Sequence, residues 1–335
     1  MRKSNFGAAV SCVGAVIGAG FASGREIIVF FTRYGSHAWW LIASAVGVMT
    51  ALCLLCMNAA ARLNRGSSWS GLVEQRILPK IMSLVLMMIT AGAMIAASGH
   101  MTALLWDGKQ AYGTGALGTL CLAWLLGFRS LKPLGWFSTL LTAALLAALL
   151  LGYAQPRQSP VVLEAPPDVL TLAGAALRAI GYAAMNMTLA IGVVCGCAQK
   201  KGSWMTAALF GWMMAVLLLM SSGLYSLHPE LADEAFPFVK LYAVYGRRGY
   251  VFSVILLYLS ILTTLISIMY GLRTAVADWT SSPALRVLLV LAVPMAVSRL
   301  GFAQIVDRMY APAGLACLAI IYLPLAIRAY RERIR

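Results

Sequence analysis

Gly14-Ala-Val-Ile-Gly-Ala-Gly-Phe-Ala-Ser-Gly-Arg-Glu26 lies in the chain's first apolar segment, Asn5 to Phe31, and places glycines at 14, 18, 20 and 24. Within hydrocarbon, backbone that leaves the helix has to be buried in protein or line a cavity. Gly18 and Gly20 permit close approach and unusual dihedrals, so the stretch reads as a membrane helix broken near its middle. A half-helix restarting near Phe21 would turn free N–H groups and the positive end of its dipole toward a bound carboxylate. The same spacing also fits a small-residue seam for helix packing, and the spacing alone leaves both readings open.

The rest of the chain supplies the membrane setting. Of 335 residues, 61% are hydrophobic and 11% charged, and the mean hydropathy is +0.84, outside the range of soluble globular domains. The formal net charge of +15 is not that of a nucleic-acid reader, whose basic residues gather on a soluble face; here they fall between apolar runs. The seven cysteines, Cys12, Cys53, Cys56, Cys121, Cys195, Cys197 and Cys317, all lie inside apolar segments, an odd set that argues against a disulfide framework. Cys53 and Cys56 stand without a second pair or a nearby histidine and read as small packing residues. Arg2 and Lys3 before an apolar stretch resemble a signal peptide, but the apolar pattern continues to Phe31, and the segment reads as the first membrane helix.

A spanning helix needs about 20 apolar residues, and ten such runs follow one another with short connections. They are Asn5 to Phe31, Ala38 to Ala60, Ile81 to Trp106, Gly113 to Phe128, Leu134 to Ala154, Val169 to Ala198, Trp204 to Tyr225, Tyr250 to Trp279, Ala284 to Leu300 and Phe302 to Tyr330. With the N-terminus inside, sixteen Lys and Arg fall in inner segments and seven in outer ones, the bias that puts both termini in the cytoplasm. For a bacterial chain this means the inner membrane. Trp39, Trp40, Trp106 and Trp279 sit near helix ends, where interfacial anchors belong.

The longest weakly apolar connection, Gln155 to Asp168, divides the chain into residues 1–154 and 155–335, each with five helices. Because five is odd, consecutive units insert with opposite orientation, the inverted repeat of many secondary transporters. Each half opens with a glycine-interrupted helix, the sixth carrying Gly174, Gly181, Gly192 and Gly196. The expected fold is therefore all-α and polytopic, about ten helices in a five-plus-five inverted repeat, with helices one and six broken around a midplane site.

The run Gly18-Ala-Gly-Phe-Ala-Ser-Gly-Arg-Glu26 resembles the signature of the YkvI-like family of amino acid permeases, in the amino acid, polyamine and organocation superfamily with the LeuT-type fold. The chain departs from that pattern at Arg25, where the family more often has Gln, which leaves the ion-pair partner of Glu26 open. The resemblance implies that the broken first helix, Ile17, Gly18, Ala19, Gly20 and Phe21, forms the substrate site. Its sixth-helix counterpart would lie in Gly181-Tyr-Ala-Ala-Met-Asn-Met187, whose polar side chains are Tyr182 and Asn186. It also implies a cation between first-helix carbonyls, here Gly14 and Ile17, and eighth-helix hydroxyls, here Ser260, Thr263 and Thr264, which share one helix face. Oxygen-only ligation suits a hard cation such as sodium. A proton-coupled relative would carry a basic residue within the fifth helix, and Lys132 lies only at its end. The alternative for Thr263 and Thr264 is that their hydroxyls bond back to their own helix.

Ionisable residues inside a membrane segment are costly and functional by default. Glu26, Arg178 and Asp307 are candidates for an outer gate or ion-pair network, against the alternative that each snorkels or pairs for structure. His100 reads as a packed histidine. No nucleophile with a base, metal-ligand spacing or phosphate-cradling loop is present, so an enzyme is not expected, nor a bound cofactor beyond a coupling ion. The leading reading is a secondary transporter that takes up an amino acid or related small amine by alternating access, coupled to sodium. The competing ones are a ligand-sensing subunit that kept a transporter-like pocket, and a channel. The expected partners are a small-molecule substrate and the lipid bilayer, without nucleic acid, and a homo-oligomer is left open.

Overall fold

A computed structural model describes residues 4–63, 77–106, 110–126, 132–155, 169–198, 203–277 and 279–334, and it is helical almost throughout, without a strand among those residues. The first segment is divided into α1 (Asn5–Val16), α2 (Ala19–Ser23) and α3 (Arg25–Phe30). There follow α4 (Ala38–Leu63), α5 (Ile77–Leu105), α6 (Ala111–Leu126), α7 (Lys132–Gly152), α8 (Val169–Gly196) and α9 (Ser203–Ser226). A short α10 (Pro237–Ala243) precedes α11 (Gly246–Ala277), α12 (Pro283–Ser298), α13 (Phe302–Arg308) and α14 (Tyr310–Arg331).

Each of the ten apolar runs is helical in its described part. Among the described residues, six helices are long and apolar enough to cross a membrane, seven if α12 and α13 are one bent span, and α1, α6 and the Leu140–Gly152 part of α7 are shorter apolar helices. The boundary proposed between two five-helix units lies at the start of a connection whose residues 156–168 are outside those described. The four end-placed tryptophans are all exposed, Trp39 stacked on Trp40 at the start of α4. Six cysteines are buried and unbridged, Cys53 and Cys56 among them, but Cys121 is exposed on α6, so the set is not wholly interior. His100 packs its ring against Tyr112 and Phe236 but is exposed near the end of α5, so it is a packed histidine at the surface and not one of the core.

Helix ends follow local chemistry. Ser4 caps α1 by accepting from the Gly7 amide at 3.1 Å, a standard N-cap arrangement. Pro312 has no N–H to give the Arg308 carbonyl, so the helix stops at Arg308 and restarts at Tyr310 with the proline in the first turn, where it is tolerated. A bend of 94° separates α12 from α13, turned by Gly301 at φ 82°.

The sixth segment corrects the sequence expectation, because α8 runs without a break from Val169 to Gly196. Gly181 is used for packing, not for unwinding. A Cβ there would overlap the Ala311 carbonyl of α14, and one at Gly314 would overlap the Gly181 carbonyl and lie 3.0 Å from the Met185 amide. Small residues let two membrane helices approach this closely. Gly174 and Gly192 face open space.

Candidate functional site

The break in the first helix falls where the glycines put it. Ile17 ends α1 at φ −74° and ψ 89°, and Gly18 is extended at φ −106° and ψ −167°. The Gly18 amide turns back to the Val16 carbonyl at 2.9 Å, and the Ala19 amide donates to Thr264 Oγ1 of α11 at 3.3 Å. Neither completes a helical bond, so the carbonyls of Gly14, Ala15 and Ile17 and the amides of Gly20 and Phe21 have no backbone partner among the described residues. Such groups are costly in a dry interior, and they are what a solute or ion would find there.

The half-helix begins at Ala19, not Phe21, and is five residues long. So short an element sums little dipole. It stops at a second, unforeseen break, Gly24, in the left-handed region at φ 81° with the Tyr225 hydroxyl where a Cβ would stand. Ser23 secures the corner, its hydroxyl donating to the Gly20 carbonyl at 2.7 Å and accepting from the Arg25 amide at 3.1 Å.

Beyond that corner, Arg25 pairs with Asp307 and not with its neighbour Glu26. Its Nη2 lies 2.6 Å from Asp307 Oδ2 and its Nε 3.2 Å from Oδ1, a bidentate pair, with side-chain exposures of 8% and 27%. Nη1 donates to the carbonyls of Ala232 and Glu234 in the segment before α10, at 3.1 and 3.0 Å. Arg178 Nη2 donates to the Asp307 carbonyl at 3.0 Å, and its guanidinium lies over Phe30. Asp307 and Arg178 thus join one network that ties α3, α8 and α13 to the α9–α10 connection. Glu26 stands outside that network, with no ion pair to any described residue. Its side chain turns inward and packs on Gly20, where a Cβ would overlap Oε1.

Tyr182 is fully buried between Phe30 and Phe31, at ring-centroid distances of 5.0 and 5.4 Å. With α8 continuous, Asn186 has no unwound backbone in its own helix. Its amide donates to the Tyr182 carbonyl one turn back at 3.0 Å, so the face shared by Tyr182 and Asn186 exists while the bare sixth-helix carbonyls do not. On α11, Thr264 reaches the break and stands 3.5 Å from where a Gly18 Cβ would be. Thr263 instead bonds back to the Ser260 carbonyl at 3.0 Å, and Ser260 is buried beside it.

Comparison with known proteins agrees with this architecture. No family model matches the chain. It is 24% identical over 339 residues to the uncharacterized membrane protein YkvI of Bacillus subtilis (strain 168), covering 96% of this chain and 95% of that one. Among solved structures, MhsT in complex with L-phenylalanine superposes with a TM-score of 0.59 at 16% identity, over 94% of this chain and 88% of that one. Mhp1 in its inward-facing conformation gives 0.63 at 12% identity, over 94% and 73%. The chain has the LeuT-type fold. Within that fold the break at Ile17–Gly18 belongs to the first helix, beside α8 and α11. One contact escaped the sequence reading: Arg25 was in plain view within the motif, but its partner Asp307 lies 282 residues away.

Proposed function

We propose that this membrane protein is a secondary transporter of the LeuT type that takes up an amino acid or related small amine by alternating access, coupled to sodium. The observation that carries the reading is the first-helix break, where bare carbonyls and amides are enclosed within a packed helix bundle. The similarity to YkvI and the Gly18 to Glu26 motif support placing it with the YkvI-like permeases of the amino acid, polyamine and organocation superfamily. The L-phenylalanine bound by MhsT supports an amine-bearing cargo. The charge bias supports a bacterial inner membrane with both termini cytoplasmic.

Thr264 supports the sodium site, since its hydroxyl accepts from Ala19 and keeps a second lone pair. Thr263 and Ser260 keep accepting lone pairs in the same way, and the Gly14 and Ile17 carbonyls are unclaimed. The Arg25–Asp307 pair, closed over by the Ala232 and Glu234 carbonyls, is the natural outer gate, because opening that side separates α3 from α13.

The test is uptake by proteoliposomes carrying an outward-to-inward sodium gradient, with choline as the control. Accumulation that needs sodium supports the proposal. Equal rates with choline remove sodium coupling, and saturable binding without accumulation favours the ligand-sensing alternative.

A further inference from the structure

We infer that Glu26, Tyr182 and Tyr310 form a seat for a primary ammonium group, and that the cargo is an organic amine preferred over the amino acid of the same side chain. This rests on the transporter reading above and narrows its cargo.

Three buried polar groups from three helices meet here, two of them without a hydrogen-bond partner. Glu26 of α3 is 4% exposed, Tyr182 of α8 0% and Tyr310 of α14 1%. Both phenol hydroxyls are buried with no hydrogen bond. Both lie within electrostatic reach of the Glu26 carboxylate, and the Tyr182 hydroxyl approaches it without completing a bond. The close packing of Gly181 on Ala311 and Gly314 holds the two tyrosines side by side.

A buried carboxylate without a cation, next to two orphaned hydroxyls, is an expensive arrangement to retain. A proton on Glu26 would relieve the carboxylate and supply one O–H donor, enough for one phenol oxygen and not both. An alkylammonium relieves all three, since its three N–H donors match one carboxylate and two phenol oxygens.

The same geometry disfavours an amino acid. Its carboxylate is two bonds from its amine and would enter the low-dielectric site beside Glu26 as a like charge. The α2 turn whose bare amides would receive it is the turn Glu26 already packs against. The nearby cations are committed elsewhere, Arg25 to Asp307 and two carbonyls and Arg178 to the Asp307 carbonyl and the Phe30 ring.

The full chain, purified in detergent with sodium present, is tested by thermal shift and equilibrium binding with three matched pairs: phenethylamine and phenylalanine, tyramine and tyrosine, isobutylamine and valine. The expected result is that at least one amine stabilises the protein and its amino acid partner does not at equal concentration. Glu26→Gln should weaken that amine about 10- to 100-fold, the loss of a hydrogen bond to a charged group. Tyr310→Phe, which keeps the ring and its packing, should weaken it several-fold. The inference is overturned if the amino acids bind as well as the amines, if no amine binds, or if Glu26→Gln binds amine like the wild type. Counterflow of the same compounds in proteoliposomes separates the two levels. Amine binding without exchange keeps the ammonium seat and removes the transporter, whereas exchange of amino acids alone keeps the transporter and removes the seat.

Discussion

Replacing Gly314 by alanine should destabilise the bundle by an amount that the α8–α14 contact sets. The added Cβ would overlap the Gly181 carbonyl oxygen, lie 2.6 Å from its carbon and 3.0 Å from the Met185 amide nitrogen. Ordinary carbon contacts are about 3.5–4.0 Å, so the helices would have to part by roughly 1 Å. The obstacle is backbone, which cannot rotate away as a side-chain tip can. The cost therefore belongs at the upper end for overpacking, about 3 kcal/mol, and at about 2 °C per kcal/mol for a large chain the melting temperature should fall by on the order of 5 °C. Gly192→Ala is the matched control on α8, because its Cβ meets nothing within 4 Å and alanine favours a helix over glycine by about 1 kcal/mol. Melting curves of the two variants in one detergent give the answer. If they melt within about 1 °C of each other, the close approach that sets Tyr182 beside Tyr310 is wrong.

Arg25→Ala and Asp307→Ala should each lower the melting temperature, and the double variant should lose no more than the worse single one, because members of one buried pair are not additive; strict additivity would deny the ion pair. Gly24→Ala should cost more than Gly18→Ala in the same assay. Gly24 combines φ 81° with the Tyr225 hydroxyl in the way, whereas a Gly18 Cβ meets Thr264 Oγ1 at an ordinary 3.5 Å; equal melting temperatures would contradict the second break. Thr264→Ala should raise the sodium concentration needed for half-maximal uptake several-fold, and an unchanged sodium dependence would place the ion elsewhere.

The ten helices and the first break were legible because both are written in local sequence. Apolar runs report the solvent, and glycines at 18 and 20 report where the first helix gives way, whereas the second break, at Gly24, was not foreseen. The continuous α8 was not legible, since Gly181 looks the same whether it unwinds a helix or admits a neighbour, and only the position of Ala311 and Gly314 decides which. The ion-pair network was half legible for a similar reason. Glu26 and Arg25 are adjacent in sequence, but Gly24 and Ser23 turn the chain so that arginine faces Asp307 and glutamate faces Gly20. Ser260, Thr263 and Thr264 lie close on one side of α11, yet Thr264 accepts a bond at the break while Thr263 bonds back to its own helix.

Binding to a Gly18→Leu variant tests the central claim, that solute is held at the first-helix break, most directly. The three amine and amino acid pairs are applied to wild type and variant in the same thermal-shift format, where a ligand of the folded state stabilises it by mass action. The variant should reach the membrane and melt as a folded protein, with every ligand-induced shift of the wild type lost, because the added side chain fills the space between Gly18 and Thr264. Undiminished shifts in Gly18→Leu would put the solute somewhere other than the break.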